Sequence, residues 1–142
     1  MQDEEYKLLH EFRYQLRRFL HFSEAAARSA GIEPQQHQLL LAIKGAGGPD
    51  GLPIGVVAER LQLRHNSAVE LIDRAEERGF VRRVQSPEDR RQVLVRLTPE
   101  AEELLTALSE KNLAELQEAA PALVDVLTHL MEASRAVTGG GR

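Results

Sequence analysis

The chain has 142 residues, enough for one domain with one core; 42% are apolar, 28% are charged and the net charge is −4, ordinary values for a globular protein. There is no cysteine, which excludes a disulfide framework, a thiolate zinc site and a thiol-based redox sensor. No run approaches the roughly 18 apolar residues that a membrane span requires, and the acidic start Met1-Gln2-Asp3-Glu4-Glu5 is unlike a secretory signal, so a cytoplasmic protein with no membrane partner is expected.

Residues 4–30 read as one long helix, because Leu8, Leu9, Phe12, Leu16, Phe19 and Leu20 recur at three- and four-residue spacings with charges on the other faces. Gly31 ends it and Pro34 blocks its continuation. Aromatic side chains are scarce, yet Tyr6, Phe12, Tyr14, Phe19 and Phe22 all fall here, so this helix is expected to pack against more than its own domain. A second helix runs from about Pro34 to Lys44, with Leu39, Leu40, Leu41 and Ile43 as its apolar positions. Lys44 suits the negative end of the dipole and Gly45 the C-cap. Gly45-Ala46-Gly47-Gly48-Pro49-Asp50-Gly51 reads as a flexible loop. It does not read as a phosphate cradle, since no Gly-Lys-Ser/Thr follows and no buried strand precedes it.

Leu52-Pro53-Ile54 is a candidate short strand. Residues 55–62 make a short helix carrying Val56, Val57, Ala58 and Leu61, and Leu63-Arg64-His65-Asn66 is a turn. Asn66 or Ser67 is expected to cap the next helix by accepting from its free N–H groups. That helix runs to Arg78, with Ala68, Leu71, Ile72 and Ala75 as its buried stripe and Gly79 as its stop. A hairpin follows: the strand-like runs Phe80–Val84 and Val93–Leu97 flank the polar loop Gln85–Gln92. Thr98-Pro99-Glu100 is a helix start, with Thr at the N-cap, Pro at the first helical position and Glu near the positive dipole end. This helix reaches about Ala119 through Ala101, Leu104, Leu105, Leu108, Leu113 and Leu116. Pro121 is read as opening a last helix with Leu123, Val126, Leu127, Leu130 and Met131, and Thr138–Arg142 as a disordered tail.

Charge is unevenly placed along this order. Over residues 80–97 the cations Arg82, Arg83, Arg90, Arg91 and Arg96 exceed the acids Glu88 and Asp89 by three. Over residues 98–142 the acids exceed the cations by five. A basic segment beside an acidic helical one points to one face that meets a polyanion; the plain alternative is an unevenly charged, solvated surface. Two short helices joined by a tight turn, with a hairpin beside them, make a winged helix-turn-helix. The second helix can enter the major groove and an arginine at the wing tip the minor groove. The fold class is therefore mainly α with a small β-hairpin wing (α+β).

The run Val57-Ala58-Glu59-Arg60-Leu61, then Ser67, Leu71-Ile72-Asp73-Arg74 and Gly79-Phe80-Val81-Arg82-Arg83, resembles the MarR family of transcriptional regulators, as does the wing Asp89-Arg90-Arg91-Gln92-Val93-Leu94-Val95-Arg96-Leu97-Thr98. The resemblance implies one domain over 1–142. Dimerisation helices would occupy 1–33 and 100–138, the DNA-binding lobe 34–99, and a disordered tail 139–142. It implies a homodimer on a pseudo-palindromic double-stranded DNA operator, most often as a repressor and with no cofactor. It also implies that Arg91 reaches the minor groove, with Asp89 holding it in place. Glu70 departs from the family pattern, which often has a basic or small polar residue there, and Ala75 stands where a larger apolar residue is common.

The candidate DNA-contacting residues are Arg64, His65, Asn66, Ser67, Arg74, Asp89, Arg90 and Arg91. Each has a plainer reading. The first four can be only a capped turn, and Arg74 can pair with Asp73, Glu70 or Glu77 along its helix. Arg82 and Arg83 alternate on a strand, so at most one faces a given side. His10, His21, His37, His65 and His129 show no metal-ligand spacing. MarR-like proteins often bind small anionic effectors between the dimerisation helices and the DNA-binding lobe, and by that resemblance Arg13, Arg17, His21 and His37 are candidates for contacting a small anionic or aromatic effector. A winged-helix module that binds protein rather than DNA is the rival reading. No nucleophile with a base, paired-carboxylate signature or cofactor motif supports an enzyme.

Overall fold

The structure, a computed structural model, describes residues 1–140, with side chains through Ala133. The elements are α1 (Asp3–Ser29), α2 (Pro34–Ala46), β1 (Leu52–Pro53), α3 (Ile54–Arg60), α4 (His65–Glu77), β2 (Val81–Gln85), β3 (Val93–Leu97) and α5 (Pro99–Gly140). They form two compact units, residues 26–109 and residues 1–25 with 110–142.

The first of these units holds the core. Leu39, Leu40 and Ile43 of α2, Val57 of α3, Ala68, Leu71, Ile72 and Ala75 of α4, Val81 of β2, Val95 of β3 and Leu105 and Leu108 of α5 are buried together. The expected stripe of α4 is thus the observed one. The strands form an antiparallel sheet in the order β1-β3-β2. Pro53 sits on the edge strand β1 opposite Leu94, a place where a missing N–H is tolerated.

Three turns share one device. After α1, Gly31 at φ 82° lets its N–H reach the Arg28 carbonyl and the Ile32 N–H reach that of Ala27. After α4, Gly79 at φ 77° does the same with Glu76, while Phe80 donates to Ala75. After α3 the left-handed residue is Gln62 at φ 55°, its N–H on Glu59 and that of Leu63 on Ala58. Each is a Schellman ending, in which two otherwise unpaired carbonyls are satisfied and the next residue turns inward. Ile32 and Phe80 are buried accordingly.

Several expected boundaries move. α2 continues through Gly45 to Ala46, and Gly47 is its C-cap. The loop that follows closes on itself through reciprocal bonds between Gly48 and Gly51. A side chain at Gly51 would strike the Val95 carbonyl, so this glycine lets the loop lie against β3. Asn66 and Ser67 do not cap α4: the helix begins at His65, Arg64 is the N-cap residue, and no side chain bonds to the open N–H groups. The chain reverses earlier than expected, at Gln62, which places both polar residues inside the first turn.

α5 is one helix, with Pro121 inside it rather than at the start of another. Proline's fixed φ is itself helical, so the local loss is one donor and some crowding of the Gln117 carbonyl. Thr138, Gly139 and Gly140, expected in a disordered tail, continue this helix, since adding a residue to an existing helix costs far less than nucleating one. Gly141 and Arg142, the rest of that tail, lie outside the described residues. The start of α5 is as expected: Thr98 Oγ accepts from the Ala101 N–H at 3.2 Å and donates to the Gly79 carbonyl at 2.7 Å.

The second unit consists of the first 25 residues with the α5 residues from 110 onward. Its helical segments bury little. Tyr6, Leu9, Tyr14, Leu16 and Leu20 of α1 and Leu113, Leu116, Val124, Leu127 and Met131 of α5 are all exposed.

Candidate nucleic-acid interface

α3 and α4 pack through Val57, Ala58, Ala68, Leu71 and Ile72, which fixes the angle between them and leaves the other side of α4 to solvent. Arg64, His65, Asn66 and Ser67 are all exposed at its N-terminal end. The helical period places Asn66, Glu70, Asp73 and Glu77 along the side opposite the buried stripe, and all four are exposed. Such a face is acidic, and of the described arginines around it only Arg83 is bonded to one of its acids. Arg83 of β2 donates from Nη1 to Glu76 and from Nη2 to Asp73, both at 2.6 Å, and its backbone N–H donates to Glu76 at 3.1 Å. Burial alone would lower the Arg83 pKa, but the bonds to Asp73 and Glu76 and the charges of both acids raise it on balance. Arg74 pairs with Glu33 at 3.5 Å, a residue far away in sequence, rather than with Asp73, Glu70 or Glu77. Arg78 donates to the Gly31 carbonyl at 2.8 Å and lies over the Phe80 ring, 5.0 Å from its centroid. Charged bonds thus tie α4 to β2 and to the segment after α1.

The wing loop is built around two side chains. Ser86 is buried, and its Oγ accepts from the N–H groups of Glu88 and Asp89, both at 3.3 Å. Asp89 Oδ1 accepts from the Arg91 backbone N–H at 3.0 Å and from its Nε at 3.3 Å. The Arg91 side chain is 93% exposed, so the carboxylate holds the arginine at its backbone N–H and at the Nε edge of the guanidinium while the side chain stays open to solvent. Gln85 Nε2 donates to the Arg90 carbonyl at 2.7 Å, which braces the other strand end. Arg90 is exposed beside it.

The structure brings Arg64, His65, Asn66 and Ser67 together at one helix end and Asp89, Arg90 and Arg91 together in one loop. Arg74 stands apart from both, turned to Glu33. The Arg83 clamp was not read from the sequence; its only sequence signal was the run Asp73-Arg74-Ala75-Glu76 shortly before a strand arginine. Of the effector candidates, Arg13, Arg17 and His21 form an exposed row on α1. His37 lies in the other unit, buried on α2, where burial lowers its pKa. Its Nδ1 and the Oε1 of buried Gln36 have no hydrogen-bond partner among the described residues. No group of acidic, histidine or cysteine side chains among the described residues could hold a metal ion, and no helix there is long and apolar enough to cross a membrane.

Residues 30–92 match the model of the MarR family. The HTH-type transcriptional regulator YfiV of Bacillus subtilis (strain 168) is 39% identical over 61 residues, which make up 43% of this chain and 38% of that protein. The chain therefore spans well under half the length of that curated relative. The structure is similar to AbsC, a MarR family transcriptional regulator from Streptomyces coelicolor, with a TM-score of 0.74, 19% identity and coverage of 99% of this chain and 94% of that one. It is also similar to a mutant MarR from E. coli complexed with operator DNA, with a TM-score of 0.68, 21% identity and coverage of 92% and 91%. At such identities the structural likeness is one of fold. Residues 30–92 thus resemble the MarR family in sequence, and nearly the whole chain has the fold of the MarR family regulators it is similar to.

Proposed function

We propose that this protein is a DNA-binding transcriptional regulator rather than an enzyme, and that it acts as a homodimer, as a repressor, on a pseudo-palindromic operator. The observation that carries this reading is the wing: an arginine whose backbone N–H and Nε are held by Asp89 while its side chain stays 93% exposed. A cation so held can enter a narrow minor groove, where the fields of two phosphate backbones converge. Arg64, His65, Asn66 and Ser67, at the exposed start of α4, take the place of base- and phosphate-contacting residues in the major groove. Arg90 and Arg74 are assigned to phosphates, Arg74 by exchanging Glu33 for the DNA backbone. The exposed apolar rows on α1 and α5 fit a face covered by a second copy, whose two-fold axis sets two recognition helices about one DNA turn apart.

Effector contacts are proposed for each unit by itself. Arg13, Arg17 and His21 offer cationic partners to a small anionic or aromatic molecule, and His37 with Gln36 offers unmet hydrogen-bonding atoms. Binding that favours one separation of the recognition helices would release the operator by shifting the population. A protein-binding module draws support from the acidic outer face of α4, but Arg83 neutralises Asp73 and Glu76 there, which weakens that alternative.

The test is a titration of operator DNA, taken from the region flanking the gene, with wild type, Arg91→Ala, Asp89→Ala and the double variant, with thermal melts alongside. Arg91→Ala is expected to weaken binding by about 1–3 kcal/mol, the worth of one good DNA contact, with melting nearly unchanged. Asp89→Ala is expected to weaken binding too, although charge alone predicts the reverse, because the arginine loses its anchor. Normal binding by Arg91→Ala together with tighter binding by Asp89→Ala would overturn the wing assignment.

A further inference from the structure

The four acids of α4 are not equivalent. Asp73 and Glu76 are both held by Arg83 at 2.6 Å. Glu77 is the last residue of the helix, about 10 Å further along the axis than Glu70 at 1.5 Å per residue. Glu70 lies one turn beyond Asn66 on the outward side and is exposed. The residue best placed to neutralise it along the helix is Arg74, four positions on, but Arg74 is turned to Glu33. No side-chain hydrogen bond or ion pair of Glu70 is present among the described residues. The fold therefore quiets two acids of this helix from the wing strand and leaves a carboxylate free in the middle of the face that presents Asn66.

On the reading that α4 enters the major groove, we propose that Glu70 is a specificity-determining residue that selects cytosine at one position of each half-site. A carboxylate only accepts hydrogen bonds. Cytosine presents the N4 amino donor on its major-groove edge, guanine presents two acceptors, and thymine an acceptor beside a methyl group. Guanine and thymine are therefore repelled. Adenine offers a donor but sets its N7 acceptor beside it, which places it second. The free carboxylate works as much by rejecting guanine and thymine as by holding cytosine.

The test is selection from a randomised duplex library with wild type, Glu70→Gln and Glu70→Ala, followed by titration on the selected sites and thermal melts. Wild type is expected to enrich cytosine at one position per half-site. The Gln variant is expected to move that position to adenine, whose N6 and N7 a carboxamide pairs with. The Ala variant is expected to accept all four bases there, with every other position unchanged. Replacing the selected cytosine is expected to weaken wild type by roughly 5- to 150-fold, the range one side chain–base pairing commands, and the Ala variant by less than about twofold, that pairing being gone. The same preference in all three proteins, or a uniform tightening of the Ala variant on every DNA, would show that Glu70 merely repels phosphate and would overturn the assignment with the DNA-binding reading intact. If wild type enriches no sequence, the DNA-binding reading falls and this inference with it.

Discussion

Residues 26–109 and the two helical segments outside them handle apolar surface in opposite ways. In the first, three helices, a small sheet and the start of α5 bury one another's apolar side chains, and Leu39, Leu40, Val57, Leu71, Ile72 and Val95 are almost fully enclosed. In the second, Tyr6, Leu20, Val124, Leu127 and Met131 all remain exposed. A unit that completes its own core owes its stability to local packing, whereas one that leaves leucine and tyrosine rows open is shaped for a surface supplied from elsewhere. Single truncations should therefore act on different observables in the two regions. Leu71→Ala is expected to cost about 2–5 kcal/mol of folding stability by leaving a cavity among α2, α3 and α4, seen as a large drop in melting temperature. Leu20→Glu with Leu127→Glu should leave the fold of residues 26–109 intact but convert a dimer into a monomer in sedimentation velocity. If the double variant sediments as wild type does, those rows are not the dimer surface and the comparison fails on that side.

The division between local and distant causes also explains what the sequence made legible. The ends of α1 and α4 and the start of α5 were readable because their punctuation is local: Gly31 and Gly79 allow left-handed endings, and Thr98 with Pro99 starts α5. The hairpin was readable for the same reason, whereas the Asp89–Arg91 pair was expected from the resemblance to the MarR family. The misread points lack a local marker or carry a misleading one. Pro121 has the composition of a helix start, yet lies in the middle of α5. Asn66 and Ser67 are good caps, yet the helix starts before them. The partners of Arg83 and Arg74 are set by how β2 and the segment after α1 lie beside α4, which no spacing rule encodes.

Arg83 is where that distant cause can be tested next. Its side chain is 26% exposed and bridges two carboxylates. Arg83→Met keeps much of the volume and removes the charge, so Asp73 and Glu76 face each other without a cation. The expected loss is about 1–2 kcal/mol of stability. Operator affinity is expected to fall further than the change in folding accounts for, because two uncompensated acids then lie near phosphate. Equal affinity for the folded fraction of both proteins would make Arg83 a purely structural tie.

Acidification separates the regions by sign. Burial holds the His37 imidazole below its usual pKa of 6.5, so the unfolded chain accepts a proton that the folded chain resists. Its contribution is complete above about pH 6.5 and is lost as the pH falls below that value. His129, exposed and bonded to the Asp125 carbonyl, has a raised pKa. Its contribution is present below the ordinary histidine value and is lost as the pH rises through the folded one. Urea midpoints at pH 7.5 and 5.5 should therefore show an acid-side loss that His37→Phe reduces and His129→Gln does not. An unchanged loss in His37→Phe would remove His37 as its source.

The smallest effect lies at the turn between α3 and α4. Gln62 holds φ 55°, a conformation that costs an ordinary L-residue roughly 1–2 kcal/mol and glycine almost nothing. Gly31 and Gly79 meet the same requirement at the two equivalent endings, so the third stands out as the one where the residue opposes its backbone. Part of that strain is offset by the side chain, whose Nε2 donates to the Glu59 carbonyl at 2.8 Å, and glycine would add freedom to the unfolded chain. The balance favours Gln62→Gly by only about 0.5 kcal/mol, half or less of the relieved strain. A modest rise in the denaturation midpoint at unchanged slope is expected. The same missing glycine is why the turn was placed two residues late from the sequence: nothing at position 62 announces a left-handed residue, and the polar run after it does. A fall in the midpoint for Gln62→Gly would show that the Glu59 bond outweighs the strain, and that the turn is held by its side chain rather than in spite of its backbone.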